Sequence, residues 1–513
     1  MPSRLAAAAL VAALPAAGFT AGRARTHEAP ARLEARRAAP PDVPQAEYAA
    51  RRARLAERLD EGQVLLAQGA PEPQQDYNAF FQSSPFLYLT GYREADAALV
   101  MAKRGGRVTS WLFVERRDPA QEVWSGRRLG AEGAAALTGV QARDARELRP
   151  VLDSLLALGG AEPMLALVAT TSESGAVAEH DRVIVASLRE RFPKLAVEDL
   201  GAAVASMRGR KSEAELAMIR KAVDITVDAQ RAAARLVEPG LNEFEAQALI
   251  EYTFRRNGAE RPGFASIVGS GPNSTTLHYN ANDRFMAAGD VLVMDIGASY
   301  RGYSADVTRT IPVSGTFTPD QRAVYQIVRD AQAAAERQAK PGAASQRMSD
   351  SATVVIAAGL ARLGLIESPT ATYDCDAQAT RTCPQYRLYF MHGLGHGIGL
   401  DVHDPDQYYE TGKLAAGSAF TIEPGIYVRA NLLDVVPDTP RNRTLKERIG
   451  PAVRRLADVG VRIEDDYVVT AQGVEWISRA PREADEIEAL MREPNTGPGP
   501  RDARKVEWYK GAK

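Results

Sequence analysis

Val293 to Thr310, VMDIGASYRGYSADVTRT, carries the most telling pattern in the chain. Its two arms alternate like half-buried strands on either side of a glycine-containing turn. An antiparallel hairpin centred between Tyr300 and Arg301 sets Asp295 directly opposite Asp306. Opposed residues share a face with Cβ atoms about 4.5 to 5.5 Å apart, and like charges at that spacing repel. The neighbours Val293, Met294 and Ile296 offer no relief, so the pattern asks for a compensating positive charge.

Few other polar residues stand out in the same way. Four of the six histidines, His278, His392, His396 and His403, fall in the same half of the chain, and three lie within HGLGHGIGLDVH. A zinc-protease HExxH helix needs a glutamate where Gly393 stands, and glycines at 393, 395, 397 and 399 make a poor helix. An extended strand fits better, with His392, Leu394, His396 and Ile398 on one face. Its glycines mark places where another group approaches the backbone closely. In SAFTIEPGIYV, Glu423 ends an apolar strand before Pro424. In VGVRIEDDYVV, Glu464 shares its alternation with Arg462 and Asp466. Alone, each glutamate reads as a solvated or ion-paired strand residue. Together with Asp295, Asp306 and a histidine they make four carboxylates and one imidazole. Opposed carboxylates become favourable when divalent cations lie between them. This donor set suits two hard or borderline ions, manganese foremost, with zinc, cobalt or iron as alternatives. Such a pair can hold a bridging hydroxide as nucleophile at neutral pH.

The remaining sequence frames this site. The 513 residues, 45% hydrophobic and 25% charged, suffice for two or more globular domains. Lys plus Arg total 63 against 65 Asp plus Glu, a net charge of −2, so nothing points to a nucleic-acid partner. Residues 1–24 have the form of a secretory signal: Arg4, an apolar run from Leu5 to Leu14, then small residues. That run is too short to span a bilayer. Periplasmic or secreted export is expected, with no integral membrane span after signal removal; organelle targeting or a cytoplasmic location is the alternative. Cys375 and Cys383 are close enough for a local disulfide or for two unpaired thiols, and the spacing leaves both readings open. Residues 25–45 read as an Ala-, Arg- and Pro-rich linker and 492–513 as a loose tail. Between them, strand-like runs such as GQVLLAQGA, FLYLTGY and PMLALVATT alternate with helical patterns in a first domain, 46–205. A second domain, 206–491, opens with a capping box from Ser212 to Glu215 and contains another at Thr318 to Gln321.

The order MDIGASYRGYSADVTRT, HGLGHGIGLDVH, TIEPGIYV, RIEDD resembles the metallopeptidases of the pita-bread fold, specifically aminopeptidase P and the related prolidases. Upstream, SPFLYLTGYREADAALVM and EVWSGRRLG look like the N-terminal domain of bacterial aminopeptidase P. The resemblance covers about residues 45 to 490, interrupted by expected insertions around 370–385 and 430–458. It implies an α/β (α+β) fold, with an N-terminal α/β creatinase-like domain followed by a C-terminal pita-bread metallopeptidase domain. It implies that Asp295, Asp306, His396, Glu423 and Glu464 hold the two ions and that Glu423 shuttles a proton. His392 and His403 match histidines that hydrogen-bond the substrate carbonyl and the tetrahedral intermediate. His278, Arg462 and Tyr427 fall with the substrate-binding groups. The implied substrate is a peptide with a free N-terminus and proline second. Prolidase, restricted to dipeptides, is the alternative within enzymes; a non-catalytic binding protein on the same scaffold is the alternative outside them, against which all five ligand positions are retained. Relatives form dimers or tetramers, and Trp124 is the candidate contact.

Overall fold

A computed structural model gives the protein's structure for residues 42–75, 78–172, 174–495 and 497. The expected signal and most of both the linker and the tail lie outside these residues. No helix among those described is long and apolar enough to cross a membrane.

The apolar runs of the first part build one mixed sheet. Its strands are β1 (Val64–Gln68), β2 (Ala98–Arg104), β3 (Arg107–Val114), β4 (Gln141–Asp144), β5 (Met164–Val168) and β6 (Ala196–Asp199). Their order is β4-β3-β2-β1-β5-β6, with β1 antiparallel to β2 and parallel to β5. A central strand covered on both sides must be apolar on both faces. Accordingly Val64 and Leu66 pack into one core cluster, while Leu65 and Ala67 pack into another. The second cluster is continuous from Val43 to Leu490, so the first and second halves of the chain share a core.

One strand expectation fails here. FLYLT lies within a helix, Ser84–Thr90. Pro85 pre-sets its first turn, and Phe86 through Thr90 are all buried, which erases the polar positions that would have revealed a helical period. The capping boxes at Ser212–Glu215 and Thr318–Gln321 are both formed.

The second half is a set of small antiparallel sheets. Its strands are β7 (Arg261–Pro262), β8 (Ile267–Ser270), β9 (Val291–Ile296), β10 (Ala298–Tyr300), β11 (Tyr303–Ser304), β12 (Val307–Pro312), β13 (Thr372–Asp374), β14 (Thr382–Pro384), β15 (Ala419–Ile422), β16 (Gly425–Val428), β17 (Val459–Arg462), β18 (Asp465–Val469) and β19 (Val474–Trp476). They pair as β12-β9-β8, β11-β10-β7, β15-β18-β19, β16-β17 and β13-β14.

The hairpin Val293–Thr310 forms, in a different register from the expected one. Tyr300 pairs with Tyr303, so the turn residues are Arg301 and Gly302, with φ of 53° and 84°. Two successive positive φ values mark the mirror-image turn that matches strand twist, and glycine takes the second at little cost. Asp295 therefore faces Thr308 rather than Asp306. A shift of two positions in the pairing keeps both aspartates on one face and makes them diagonal neighbours.

The two expected insertions pack on each other. Cys375 and Cys383 form a disulfide, with Cα atoms 5.7 Å apart, beside the β13–β14 hairpin. Asp374 of that hairpin accepts from Thr439 Oγ1 at 2.6 Å, and its backbone N–H donates to Asn442 Oδ1 at 3.1 Å. Both partners belong to the start of the helix Pro440–Arg455.

A candidate metallopeptidase active site

Strand ends and junctions present the site. Asp295 lies on β9 and Asp306 immediately precedes β12; Glu423 follows β15, and Glu464 joins β17 to β18. His396 comes from the glycine-rich segment, which is extended without being a regular strand. It runs antiparallel beside β15: Ile398 N donates to Ala419 O, Thr421 N to His396 O and Glu423 N to Leu394 O, at 2.8 to 2.9 Å. Gly395 permits this approach, since a Cβ there would meet Thr421 O at 2.0 Å. The expected single face of four residues is not kept. His392 and His396 line the cavity while Leu394 and Ile398 belong to the core, because the irregular backbone loses the strict period of two.

All five expected ligands line one cavity of about 270 Å³, together with His278, His392, His403 and Arg462. Neither insertion contributes to its lining. His396 Nε2 stands 3.5 Å from Asp306 Oδ2, 3.5 Å from Glu423 Oε1 and 3.8 Å from Glu464 Oε1. Its Nδ1 is 3.1 Å from the Gly397 carbonyl, which can only accept, so the proton sits on Nδ1 and Nε2 turns a lone pair to three carboxylates. Asp295 Oδ1, Asp306 Oδ1 and Glu464 Oε1 are buried without a hydrogen-bond partner. Burial, then the charges of Glu464, Asp295, Asp466 and Glu423, holds Asp306 well above the usual carboxylate range. Glu464 is raised likewise by burial, then by Glu423 and Asp295. Burial, opposed by Arg462 and aided by Asp295, pushes Glu423 up to about 8. Converging acceptors with orphaned oxygens and an outward lone pair are unfavourable as they stand, and fit divalent cations.

The surrounding chain belongs to a known group. The metallopeptidase family M24 matches residues 217–471, and the aminopeptidase P N-terminal domain matches 48–163. The Xaa-Pro aminopeptidase of Escherichia coli (strain K12) is 33% identical over 467 residues, covering 88% of this chain and 98% of that one. The chain belongs to metallopeptidase family M24. A human Xaa-Pro dipeptidase is 32% identical over 485 residues, covering 88% of this chain and 94% of its own length. Among solved structures, zinc-substituted E. coli aminopeptidase P in complex with product superposes with a TM-score of 0.74 at 32% identity, over 88% of this chain and 98% of that one. The C-terminal half is thus the M24 pita-bread domain, preceded by the aminopeptidase P type of N-terminal domain.

Around the five converging residues the polar contacts are specific. Arg462 Nη2 donates to Asp295 Oδ2 at 2.5 Å, and Nη1 donates to Tyr427 Oη at 2.8 Å. Tyr427 is fully buried and does not line the cavity, so its hydroxyl ties Arg462 to His392 rather than reaching a substrate. His392 is engaged at both nitrogens: Nδ1 with Gly393 O at 2.7 Å and Nε2 with Tyr427 Oη at 2.9 Å. A hydrogen bond from His392 to a substrate carbonyl therefore requires the ring to give up one of these. Burial, then Arg462, lowers its pKa to about 4; burial, then His403, does the same for His396. The His396 and His403 rings meet edge to face, 4.3 Å between centroids.

No sequence pattern pointed to Thr308, and Asp466 stood out only as a neighbour sharing the alternation of Glu464. Thr308 Oγ1 donates to Glu464 Oε2 at 2.6 Å, and Asp466 Oδ2 accepts from Asp306 N at 3.0 Å. The correct hairpin register, with Thr308 opposite Asp295, was the signal that could have found Thr308. Phe264, Ile267 and Leu277 supply an apolar wall that no sequence pattern singled out.

Proposed function

We infer that this M24 chain is a metal-dependent Xaa-Pro aminopeptidase, an exopeptidase that hydrolyses the first peptide bond of substrates with proline second. The observation that carries the reading is the convergence of four carboxylates and His396 on one cavity, with buried oxygens that lack any partner. Two divalent ions suit that set, held by Asp295, Asp306, His396, Glu423 and Glu464, with manganese first and zinc, cobalt or iron as alternatives. When bound, they supply Lewis acidity and a water of lowered pKa.

The chain's own groups do the rest. Glu423 takes a proton from the attacking water and delivers it to the leaving nitrogen. That delivery matters because the nitrogen of an Xaa-Pro bond carries no hydrogen. His403 and the exposed His278 both line the cavity, and the family resemblance assigns them to the substrate carbonyl and to the residue after the scissile bond. Arg462 fixes the Asp295 carboxylate, and Tyr427 and Thr308 fix Arg462 and Glu464 in turn. Phe264, Ile267 and Leu277 offer the proline ring an apolar surface, where its rigidity aids positioning.

The test compares Ala-Pro-Ala with Ala-Pro, using manganese-loaded and chelated protein. Release of alanine from the tripeptide, abolished by chelation, is expected. Cleavage of the dipeptide alone would reassign the chain to the dipeptidase reading favoured by its human relative; cleavage of neither would overturn the substrate class.

Two wider assignments accompany this reading. Export is supported by the form of residues 1–24 and by the Cys375–Cys383 disulfide, which suits an oxidising compartment. An N-terminus of the mature protein still at Met1 would overturn it. A homo-oligomer, dimer or tetramer, is supported by Val123 and Trp124, which are 76% and 75% exposed on one short helix. Light scattering at the monomer mass would remove it.

A further inference from the structure

A cleft adjoining the catalytic cavity holds a cation, Arg261, on which Glu260 and Asp401 act only from beyond ion-pair distance. Val402 and His403 line both, so the cavity of about 270 Å³ and the cleft of about 570 Å³ share a wall. The cleft lies at the carboxyl ends of the parallel strands β5 and β6, bounded by Thr171, Ser172 and Asp199. Open sheets leave ligand crevices at such ends.

Arg261 enters this cleft from β7, which pairs with β10 of the ligand-bearing hairpin through Ser299 and Arg261. Three residues on, Phe264 lines the catalytic cavity. The half-buried guanidinium lies over the Phe81 ring, 3.9 Å from its centroid, and makes no ion pair or hydrogen bond among the described residues. The nearby carboxylates are committed elsewhere. Glu260 takes Arg93 at 3.1 and 3.3 Å, and Asp401 takes Ser84 at 2.5 Å and Arg208 at 2.6 Å. Asp199 Oδ1 accepts from Gly201 N at 2.8 Å. A planar cation held over an aromatic ring by its central carbon still has N–H donors to offer a bidentate carboxylate.

We propose that this cleft receives the part of the peptide downstream of proline and that Arg261 binds a carboxylate there, from the chain's C-terminus or from an acidic side chain. The inference rests on the aminopeptidase reading: a substrate anchored by its amino end must lead its remaining residues out of the cavity. It makes Arg261 a specificity-determining residue of the same reaction.

The test is steady-state kinetics of manganese-loaded wild type, Arg261→Gln and Arg261→Lys on matched peptides. One set is Ala-Pro-Ala and Ala-Pro-Ala-Ala, each as free acid and as C-terminal amide. The other is Ala-Pro-Glu-Ala-amide and Ala-Pro-Ala-Glu-amide against their glutamine counterparts. Wild type is expected to favour the acidic member of at least one pair by about tenfold in kcat/KM, mainly through KM, the order of one charge-assisted contact. That ratio should fall near unity in Arg261→Gln and survive in part in Arg261→Lys. The pair that responds identifies the source of the carboxylate. A purely structural role would lower both members together and leave the ratio intact. Wild type that cleaves the amides but ignores the carboxylate, or a ratio that persists in Arg261→Gln, overturns the proposal alone. Wild type that cleaves none of the peptides overturns the activity reading and this proposal with it.

Discussion

Thr308 shows how a residue that never enters the cavity can govern it. Its hydroxyl is the fully buried donor that orients Glu464, leaving the other carboxylate oxygen to face His396. Removing such a supporting contact weakens metal binding by about 10- to 100-fold. Thr308→Val should show that loss in calorimetric titration of the metal-free protein with manganese. Unchanged affinity would mean that packing alone holds Glu464. Tyr427 gives a second residue-scale test, since its hydroxyl serves both Arg462 and His392. Tyr427→Phe removes two buried hydrogen bonds and should cost about 1 to 3 kcal/mol of stability, and its kinetic loss should fall on kcat. A rise confined to KM would restore Tyr427 to the substrate contacts that the family resemblance implied.

Among the elements, the glycine-rich segment and the Val293–Thr310 hairpin behave differently from regular strands. The segment needs Gly395 because the β15 backbone passes where a side chain would be, whereas a Cβ at Gly393 would meet nothing within 4 Å. Gly395→Ala should therefore destabilise by about 3 kcal/mol or more, on the scale of a backbone clash in a core. Gly393→Ala should change the melting temperature little. Equal melting temperatures for the two variants would contradict the geometry. In the hairpin, alternation correctly put Asp295 and Asp306 on one face, but it could not fix the register, which the positive φ at Arg301 and Gly302 sets. The helix Ser84–Thr90 was hidden for a related reason. Every residue from Phe86 to Thr90 is buried, so neither a period of two nor one of 3.6 was visible.

Over the whole molecule, the site gathers acids that only cations stabilise, and this predicts a pH signature. Glu423 is raised from its usual 4.5 to about 8, with Asp306 and Glu464 raised as well. Raised carboxyls keep their protons in the folded state, so folding stability falls as pH rises from about 4.5 through 8. His392 and His396, lowered from 6.5 to about 4, act oppositely, and their effect is confined below pH 6.5. Between pH 6.5 and 8 these carboxyls, with the likewise raised Asp466, act without opposition from the two histidines. The melting temperature of chelated protein should decline across that window, and the gain from added manganese should widen, since ions bind the deprotonated carboxylates. A manganese gain independent of pH would contradict the assignment of these three residues as ligands.

The donor chemistry of the candidate site was legible in the order of residues along the chain. Four carboxylates and a histidine in apolar strand contexts have few stable explanations, and the spacing of their motifs already carried the family resemblance. That order also determined local events whose signals are short-range, such as the capping boxes at Ser212 and Thr318. What depends on contacts between distant segments emerged with folding. Folding clasped the two insertions together through Asp374, Thr439 and Asn442. It removed Tyr427 from the cavity by burying it behind Arg462. It brought Arg261, otherwise one arginine among many, beside Phe81 and into the cleft that adjoins the catalytic cavity. Donor type and periodicity are properties of residues in order along the chain, whereas burial, partnership and reach are properties of segments that meet only when the chain has folded.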